Sequence, residues 1–450
     1  MNRGIRWYIA SFIAAAVASV AGQLIWLADP LRAGTFFWMD MIEILARACA
    51  VIPLCWTIGA YRSWSNSKSR KLPLLKLLVA AGGLLTAALM ALQPDGVSAL
   101  AIAGGVSLLL VLLDASREER RRRRFPLGTV AFSIAAVLLG LLLFYPTAYA
   151  VTTPGFTLNM NRYAQVEGGK ESGGSLEGVL VIERPAFPID WLYAALLPHI
   201  ALEKRDTSIP ISEIQRQVFI QRAGANEIGT AVALQKLGLG KGVVPLGIQV
   251  LALLQDSPSQ DVLKAGDVLL SIGGQPARDT SELAKLMSAV VPGSDVKVGY
   301  EREGGKAVAV IKAKASSDDP KRAVLGIQVQ DRTKADLTRQ MDFKSYLVYQ
   351  GGPSHGAMLA LTVLDQLTPG GVAFGNRVAG TGTIDAAGKV GPIGGIEQKA
   401  FTVARAGADV FFVPAGQETD ARKGSKELNI VPVRTLDEML KWLKANPKQA

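Results

Sequence analysis

The chain has 450 residues, 49% of them hydrophobic, with a mean hydropathy of +0.25 and a formal net charge of +11. That length allows two or three domains with separate cores, and two cysteines (Cys49, Cys55) with two histidines (His199, His355) exclude a disulfide framework in the polar half and most zinc chemistry. The charge belongs to one end: residues 1–125 carry 15 Lys/Arg against 7 Asp/Glu and the rest 34 against 31, so nucleic acid is not an expected partner.

Apolar runs long enough to cross about 30 Å of hydrocarbon are expected at residues 7–27, 36–61, 74–92, 97–113 and 127–149. Basic residues alternate between the connecting loops: Arg3 and Arg6 precede the first run, Arg62, Lys68, Arg70 and Lys71 follow the second, and Arg117 and Arg120 to Arg124 follow the fourth. The loops after the first and third runs are short and nearly neutral. The positive-inside rule then places the N-terminus in the cytoplasm and everything beyond Tyr149 on the extracytoplasmic side of a cell membrane. Ala18-Ser19-Val20-Ala21 would also suit cleavage of the first run as a signal peptide, with the same side of emergence. Asp40, Glu43 and Arg47 lie in or near the second run, where Glu43 and Arg47 at i, i+4 suit a structural ion pair; no other run is expected to carry matching charges.

Residues 152–174, rich in Thr, Gly and Ser, read as a linker. A strand is expected at 178–184 and a long helix at 212–237, with Ile214, Val218, Ile228, Val232, Leu234 and Leu237 on one face and Gly238-Leu239-Gly240 as its stop. Short strands at 247–253, 268–272, 295–300 and 307–311 then alternate with Gly/Pro turns and a helix at 281–290. The run Leu263-Lys264-Ala265-Gly266-Asp267-Val268-Leu269, continuing into Ser271-Ile272-Gly273-Gly274-Gln275-Pro276, resembles a PDZ domain of the bacterial, protease-associated type. Such a module adds a peptide strand to a sheet edge and holds its carboxylate on backbone N–H groups. The resemblance puts that loop at Val244, Pro245, Leu246, Gly247 and Ile248.

From Leu325 onward apolar strands alternate with amphipathic helices, as in an α/β layer. Gly351-Gly352-Pro353-Ser354-His355-Gly356 leads into an apolar helix, so Ser354 sits near a helix N-terminus, where free N–H groups could hold an oxyanion. By itself Ser354 would be an N-cap, and a lysine in the helix at 395–405 a solvated surface residue. The second segment is Gly380-Thr381-Gly382-Thr383-Ile384-Asp385, followed by Gly388-Lys389-Val390-Gly391-Pro392-Ile393-Gly394-Gly395-Ile396-Glu397-Gln398-Lys399. Together the two segments resemble the proteolytic domain of the Lon family, and more closely its YlbL-type branch, which joins a membrane anchor, a PDZ domain and a Lon-type catalytic domain.

That resemblance implies Ser354 as nucleophile, Lys399 as general base and Thr381 as a supporting residue, with no metal and no cofactor. A lysine base working near neutrality needs its pKa brought down from about 10.4 to roughly 7–8, which burial near Ile393 and Ile396 would do. The family usually has Ala at the place of His355. Adjacent helical residues do not face each other, so His355 is expected at a pocket rim or the surface, and His199 in a loop.

No Gly-x-x-x-x-Gly-Lys-Ser/Thr loop occurs in the sequence, so an ATP-independent serine endopeptidase is expected, acting on unfolded or extended cell-envelope proteins presented by the PDZ domain. A catalytically silent PDZ scaffold in the membrane is the alternative, and a homo-oligomer is left open. The expected division is a transmembrane region of about five helices at 1–150, a linker and N-terminal part packing with the catalytic domain at 151–240, a PDZ-like β-barrel at 241–316, and a Lon-type α/β domain at 317–450.

Overall fold

The structure, a computed structural model, describes every residue except 1–2, 34–35, 66–72, 122–124, 171–172, 206–209, 348–350 and 449–450. Lys68, Arg70, Lys71 and Arg122 to Arg124 of the basic loops lie outside the described residues. Two units are distinguished. The first holds Met1–Phe156, Ile182–Glu203 and Ser345–Tyr349, and the second Thr157–Val181, Lys204–Lys344 and Gln350–Ala450.

The first unit is built mainly from helices, most of which have apolar residues on all sides, the pattern of segments surrounded by lipid, whereas the short helix Trp38–Ala48 is amphipathic. They are α1 (Arg3–Gln23), α2 (Trp38–Ala48), α3 (Val51–Ser65), α4 (Leu74–Leu92), α5 (Val97–Arg120) and α6 (Leu127–Phe144). Among the described residues, five segments are long and apolar enough to cross a membrane: Gly4–Gln23, Trp38–Ser65, Leu74–Leu92, Val97–Arg120 and Leu127–Phe144. All five expected spans are therefore present. The second is interrupted between α2 and α3 at Cys49 and Ala50. Glu43 and Arg47 pair at 2.7 Å, and Arg47 also donates to the Ala91 carbonyl at 2.9 Å.

The expectation of no further matched charges is overturned. Lys76 of α4 and Asp114 of α5 are buried together, with Lys76 Nζ 2.9 Å from Asp114 Oδ1. Ser63 Oγ accepts from the same ammonium at 2.7 Å, and Tyr8 OH donates to Asp114 Oδ2 at 2.9 Å. An isolated charge there would be very costly, and pairing plus hydrogen bonds offsets the desolvation. Each residue lies near the end of its run, which is why neither stands out in the sequence.

Residues 152–166 are not a linker. Strand β1 (Tyr149–Asn159) buries Phe156 and Leu158, a helical turn follows at Met160–Tyr163, and Ala164–Val166 pairs with Met341–Phe343. The threonines that suggested a linker are β-branched and suit a strand. With β2 (Ser175–Pro185), β3 (Ala201–Lys204), β9 (Arg377–Gly380), β10 (Val410–Pro414) and β11 (Ile430–Val433), β1 belongs to a six-stranded sheet of order β11-β10-β9-β2-β1-β3. β9 runs parallel to both β10 and β2 (Val378↔Val410, Val378↔Leu176), and β10 parallel to β11.

Helices α9 (Gly356–Leu367), α10 (Ile396–Ala406), α11 (Glu418–Gly424) and α12 (Leu436–Ala445) alternate with these strands. Ile396, Ala400 and Val403 of α10 pack with Phe411 and Val413 of β10. Burying each large side chain of this set contributes roughly 1.5–3 kcal/mol. In α9 every residue from Gly356 to Gln366 is buried, partly beneath α7 (Ile211–Lys236). Gly229 of α7 permits that approach, because a Cβ there would lie 2.9 Å from the Gly356 carbonyl oxygen.

The PDZ-like module follows α7. Its sheet has the order β7-β6-β5-β4-β8, from β4 (Val243–Leu253), β5 (Val268–Ile272), β6 (Asp295–Arg302), β7 (Gly305–Lys312) and β8 (Ile327–Ala335), with helix α8 (Thr280–Met287) beside it. Ile248, Val250, Leu263, Leu269, Val298 and Ile311 fill its core. The sheet extends past residue 316, because β8 is paired along its whole length with β4.

Candidate active site

Pro353 begins a single 3₁₀ turn, Pro353–His355, which passes directly into α9. Proline suits this place because its fixed φ is already helical and its missing N–H is not needed there. The turn is fastened to the segment after β9. Ser354 O accepts from Gly382 N–H at 2.7 Å and from Thr381 Oγ1 at 3.0 Å, and Ala357 N–H donates to Gly382 O at 3.1 Å. Thr381 is in turn held to β10, through its N–H to Phe412 O at 3.1 Å. Ser354 is half-buried. Gly356 N–H bonds Pro353 O, so neither it nor Ala357 N–H is available to an oxyanion in this structure.

Lys399 enters from α10. Gly395, just before that helix, has φ 64, and a Cβ on it would come 2.9 Å from Val181 Cγ1, so a side chain there would be both strained and crowded. The sharp entry directs Lys399 inward, and its side chain is buried to 2% exposure. Its amino group donates to Thr381 Oγ1 at 3.1 Å. Thr381 Oγ1 uses its own hydrogen on Ser354 O, so it is an acceptor for lysine. Burial lowers the Lys399 pKa to about 7, because the charged form is poorly solvated. A neutral amine that donates one hydrogen to Thr381 keeps its lone pair for another proton.

The structure thus brings Ser354, Thr381 and Lys399 together, with Thr381 bonded to both others. Ser354 Oγ has no hydrogen bond to Lys399 among the described residues; such contacts are often loose without substrate and tighten around it.

His355 is not at the surface. It is buried, its ring edge-on to Tyr163, with Nδ1 2.8 Å from Gly352 O and Nε2 2.7 Å from Asn226 Oδ1. Burial lowers its pKa to about 4, so the ring is neutral near pH 7. A neutral ring donates from Nδ1 to Gly352 O and accepts at Nε2. The network therefore assigns the Asn226 amide nitrogen to the ring side, with its oxygen toward the Tyr163 hydroxyl. The residue ties α7 to the glycine turn before Ser354, and its ring nitrogens are engaged away from the serine. His199 lies in a turn with φ 59.

The residues expected to form a carboxylate loop are not a loop. Val244, Pro245, Leu246, Gly247 and Ile248 run within β4, and Val244, Pro245, Gly247 and Ile248 pair with Lys334, Thr333, Arg332 and Asp331 of β8. The pairing shifts register between Arg332 and Thr333, beside Gly247, whose φ is 129.

A half-buried serine ahead of a buried helix, linked through a threonine to a buried lysine, and a PDZ-like sheet before it are the parts that a serine peptidase with a peptide-binding module would need. Comparison with known proteins makes the type specific. Residues 339–445 match the Lon protease (S16) C-terminal proteolytic domain, and residues 226–312 match the PDZ domain family. The Lon protease of Trichlorobacter lovleyi is 37% identical over 98 residues, 21% of this chain and 12% of that protein. The Lon protease of Anaeromyxobacter dehalogenans is 34% identical over 128 residues, 27% of this chain and 15% of that protein. The chain thus spans about an eighth of the length of these curated relatives. The PDZ domain of the SdrC-like protein from Listeria monocytogenes is 26% identical, with a TM-score of 0.17, over 18% of this chain and 86% of that one. The chain carries a PDZ domain and a Lon-type serine peptidase domain after five helices fit to cross a membrane.

Proposed function

We propose that this protein is a membrane-anchored serine endopeptidase that works without ATP on unfolded or extended proteins, with its catalytic domain on the extracytoplasmic side. The observation that carries the chemistry is the buried Lys399 amino group, with its pKa lowered to about 7, 3.1 Å from the threonine that holds the serine turn. Neutral Lys399 takes the Ser354 hydroxyl proton as Oγ attacks the substrate carbonyl. The resulting ammonium returns that proton to the leaving amine as the C–N bond breaks. Neutral Lys399 then takes a proton from a water that attacks the acyl ester; as the ester C–O bond breaks, the ammonium returns that proton to Ser354 Oγ, and the acid product gives its remaining proton to solvent. Thr381 keeps the lysine and the serine turn in register throughout.

The lack of a phosphate-binding loop within the 450 residues supports ATP independence. The alternation of basic loops supports the orientation. Purified full-length protein in detergent or nanodiscs should cleave an unfolded protein such as reduced casein equally with and without ATP, and Ser354→Ala should abolish the cleavage. A strict ATP requirement, or cleavage that survives Ser354→Ala, defeats the proposal.

A further inference from the structure

The edge of the PDZ sheet where a peptide would add already has an occupant. β4 pairs with β5 through Ile248↔Leu269 and Gln249↔Val268, with Val250 bonded further to Gly266 and Asp267, and on its other side with β8 from Ile327↔Leu253 to Ala335↔Val243. β8 runs antiparallel to β4, with its C-terminal end at Val243 and Val244 where the terminal carboxylate of a bound peptide was expected. It also touches the helix that would flank a peptide: Asp331 Oδ1 accepts from Thr280 N–H at 2.6 Å, at the first turn of α8. Ile327 and Val329 pack half-buried against the module's core.

β8 is held less firmly than the strand it covers. No residue of β8 whose exposure is described is fully buried, whereas Ile248, Val250, Leu251, Ala252 and Leu253 of β4 are. Releasing β8 gives up a ladder, the packing of the half-buried apolar Ile327 and Val329, and the hydrogen bonds of Gln330 and Asp331. Such a segment belongs to the low-stability end of a structure. The chain does not stop in the groove. It continues from β8 into Met341–Phe343, which pairs with Ala164–Val166; residues 348–350, between there and Ser354 in the sequence, lie outside the described residues.

We propose that β8 is a built-in occupant of the PDZ groove, displaced by extended peptide segments, and that its release is passed to the peptidase domain through Met341–Phe343, which pairs with Ala164–Val166. Because the strand continues beyond Ala335, the groove takes an internal extended segment and needs no free C-terminal carboxylate. The occupancy part stands independently; the transmission part rests on the peptidase proposal above. A tethered strand competes at roughly millimolar effective concentration, so free peptide binds weakly until the strand is loosened.

The test is a reversible lock. Gln249 and Gln330 are direct cross-strand partners with hydrogen-bonded side chains, and opposed Cα atoms about 4.5–5.5 Å apart can take a disulfide. Full-length protein with Gln249→Cys and Gln330→Cys, in a Cys49→Ser, Cys55→Ser background, is titrated with a fluorescent, C-terminally amidated peptide of sequence IQVQDRTKA. Binding should be at least about tenfold tighter in the reduced than in the oxidised form, and peptide should raise the rate of Ser354 labelling by a serine-reactive probe only in the reduced form. Equal binding in both forms, no binding in either up to millimolar peptide, or binding only by the non-amidated peptide overturns the occupancy part. Binding in the reduced form with no change in labelling overturns the transmission part. If Ser354 is unlabelled in every form, the peptidase proposal has failed and the binding arms still decide the groove.

Discussion

The acylation rate should follow a single ionisation near pH 7, and the structure says which group it is. Lys399 is lowered from 10.5 to about 7 by burial. At pH 7 about half of it is neutral, against about 0.03% for a lysine free in water, a gain of about 1,600-fold in the basic form. The burial that achieves this disfavours the ammonium by roughly 5 kcal/mol, at 1.36 kcal/mol per unit. Labelling of Ser354 by a fluorophosphonate, followed from pH 5 to pH 9 on the full-length protein, should rise about tenfold per unit below pH 6. It should level above pH 8, with the pH 5 rate about a hundredfold below the plateau. A histidine base would give a different curve. His355 titrates near 4, so its limb would be almost complete at pH 5 and the profile flat above it. The linkage has a definite sign: between about 7 and 10.5 the unfolded chain binds a proton that the folded one does not, so stability rises with pH across that window. Lys399→Met should remove this pH dependence and be more stable than wild type below pH 7. A flat profile from pH 5 to 9, or the same stability slope in Lys399→Met, would refute the reasoning.

Thr381→Val removes a hydrogen bond to Lys399 and one to Ser354, each worth about 1 kcal/mol; labelling should slow about tenfold or more, and the pH limb should move lower because the ammonium loses its acceptor. His355→Ala takes the ring from the Gly352 carbonyl, at about 1–3 kcal/mol, so it should lower thermal stability and slow labelling while leaving the pH limb in place; a shifted limb would give histidine a proton-transfer role. In the membrane helices, Lys76→Met or Asp114→Asn alone should destabilise by about 3–5 kcal/mol, whereas Lys76→Met with Asp114→Leu should recover most of it, read as thermal unfolding in detergent. Alkaline-phosphatase fusions after Tyr149 should be active and fusions at Arg121 inactive; the reverse would put the catalytic domain in the cytoplasm.

What could be seen in the sequence was whatever is written in local spacing. The five spans are continuous apolar runs, and Ser354, Thr381 and Lys399 sit in glycine-rich segments whose turns are themselves part of the site. What was hidden depended on partners far away in the chain. Lys76 and Asp114 meet only because α4 and α5 pack, and nothing in either run announces the other. β8 carries Gln328, Gln330, Asp331, Arg332 and Lys334, too polar for an apolar alternation, because it is an edge strand held by its ladder. His355 was placed at a rim because a helical neighbour of Ser354 cannot face it. That geometry holds, but it is silent about Asn226 of α7, which closes over the ring. Residues 152–159 mislead by composition, since threonines beside Gly and Ser read as a loop although their β-branched side chains favour a strand.

The most direct measurement locates the adduct. Wild-type protein treated with a fluorophosphonate at pH 8 should gain one label, mapped by peptide mass spectrometry to Ser354. Ser354→Ala should gain none. Lys399→Arg should be nearly as unreactive as Lys399→Met, because a guanidinium keeps its proton at any usable pH, while His355→Ala still labels at Ser354. A label on another residue, or full labelling of Lys399→Arg, would contradict the account.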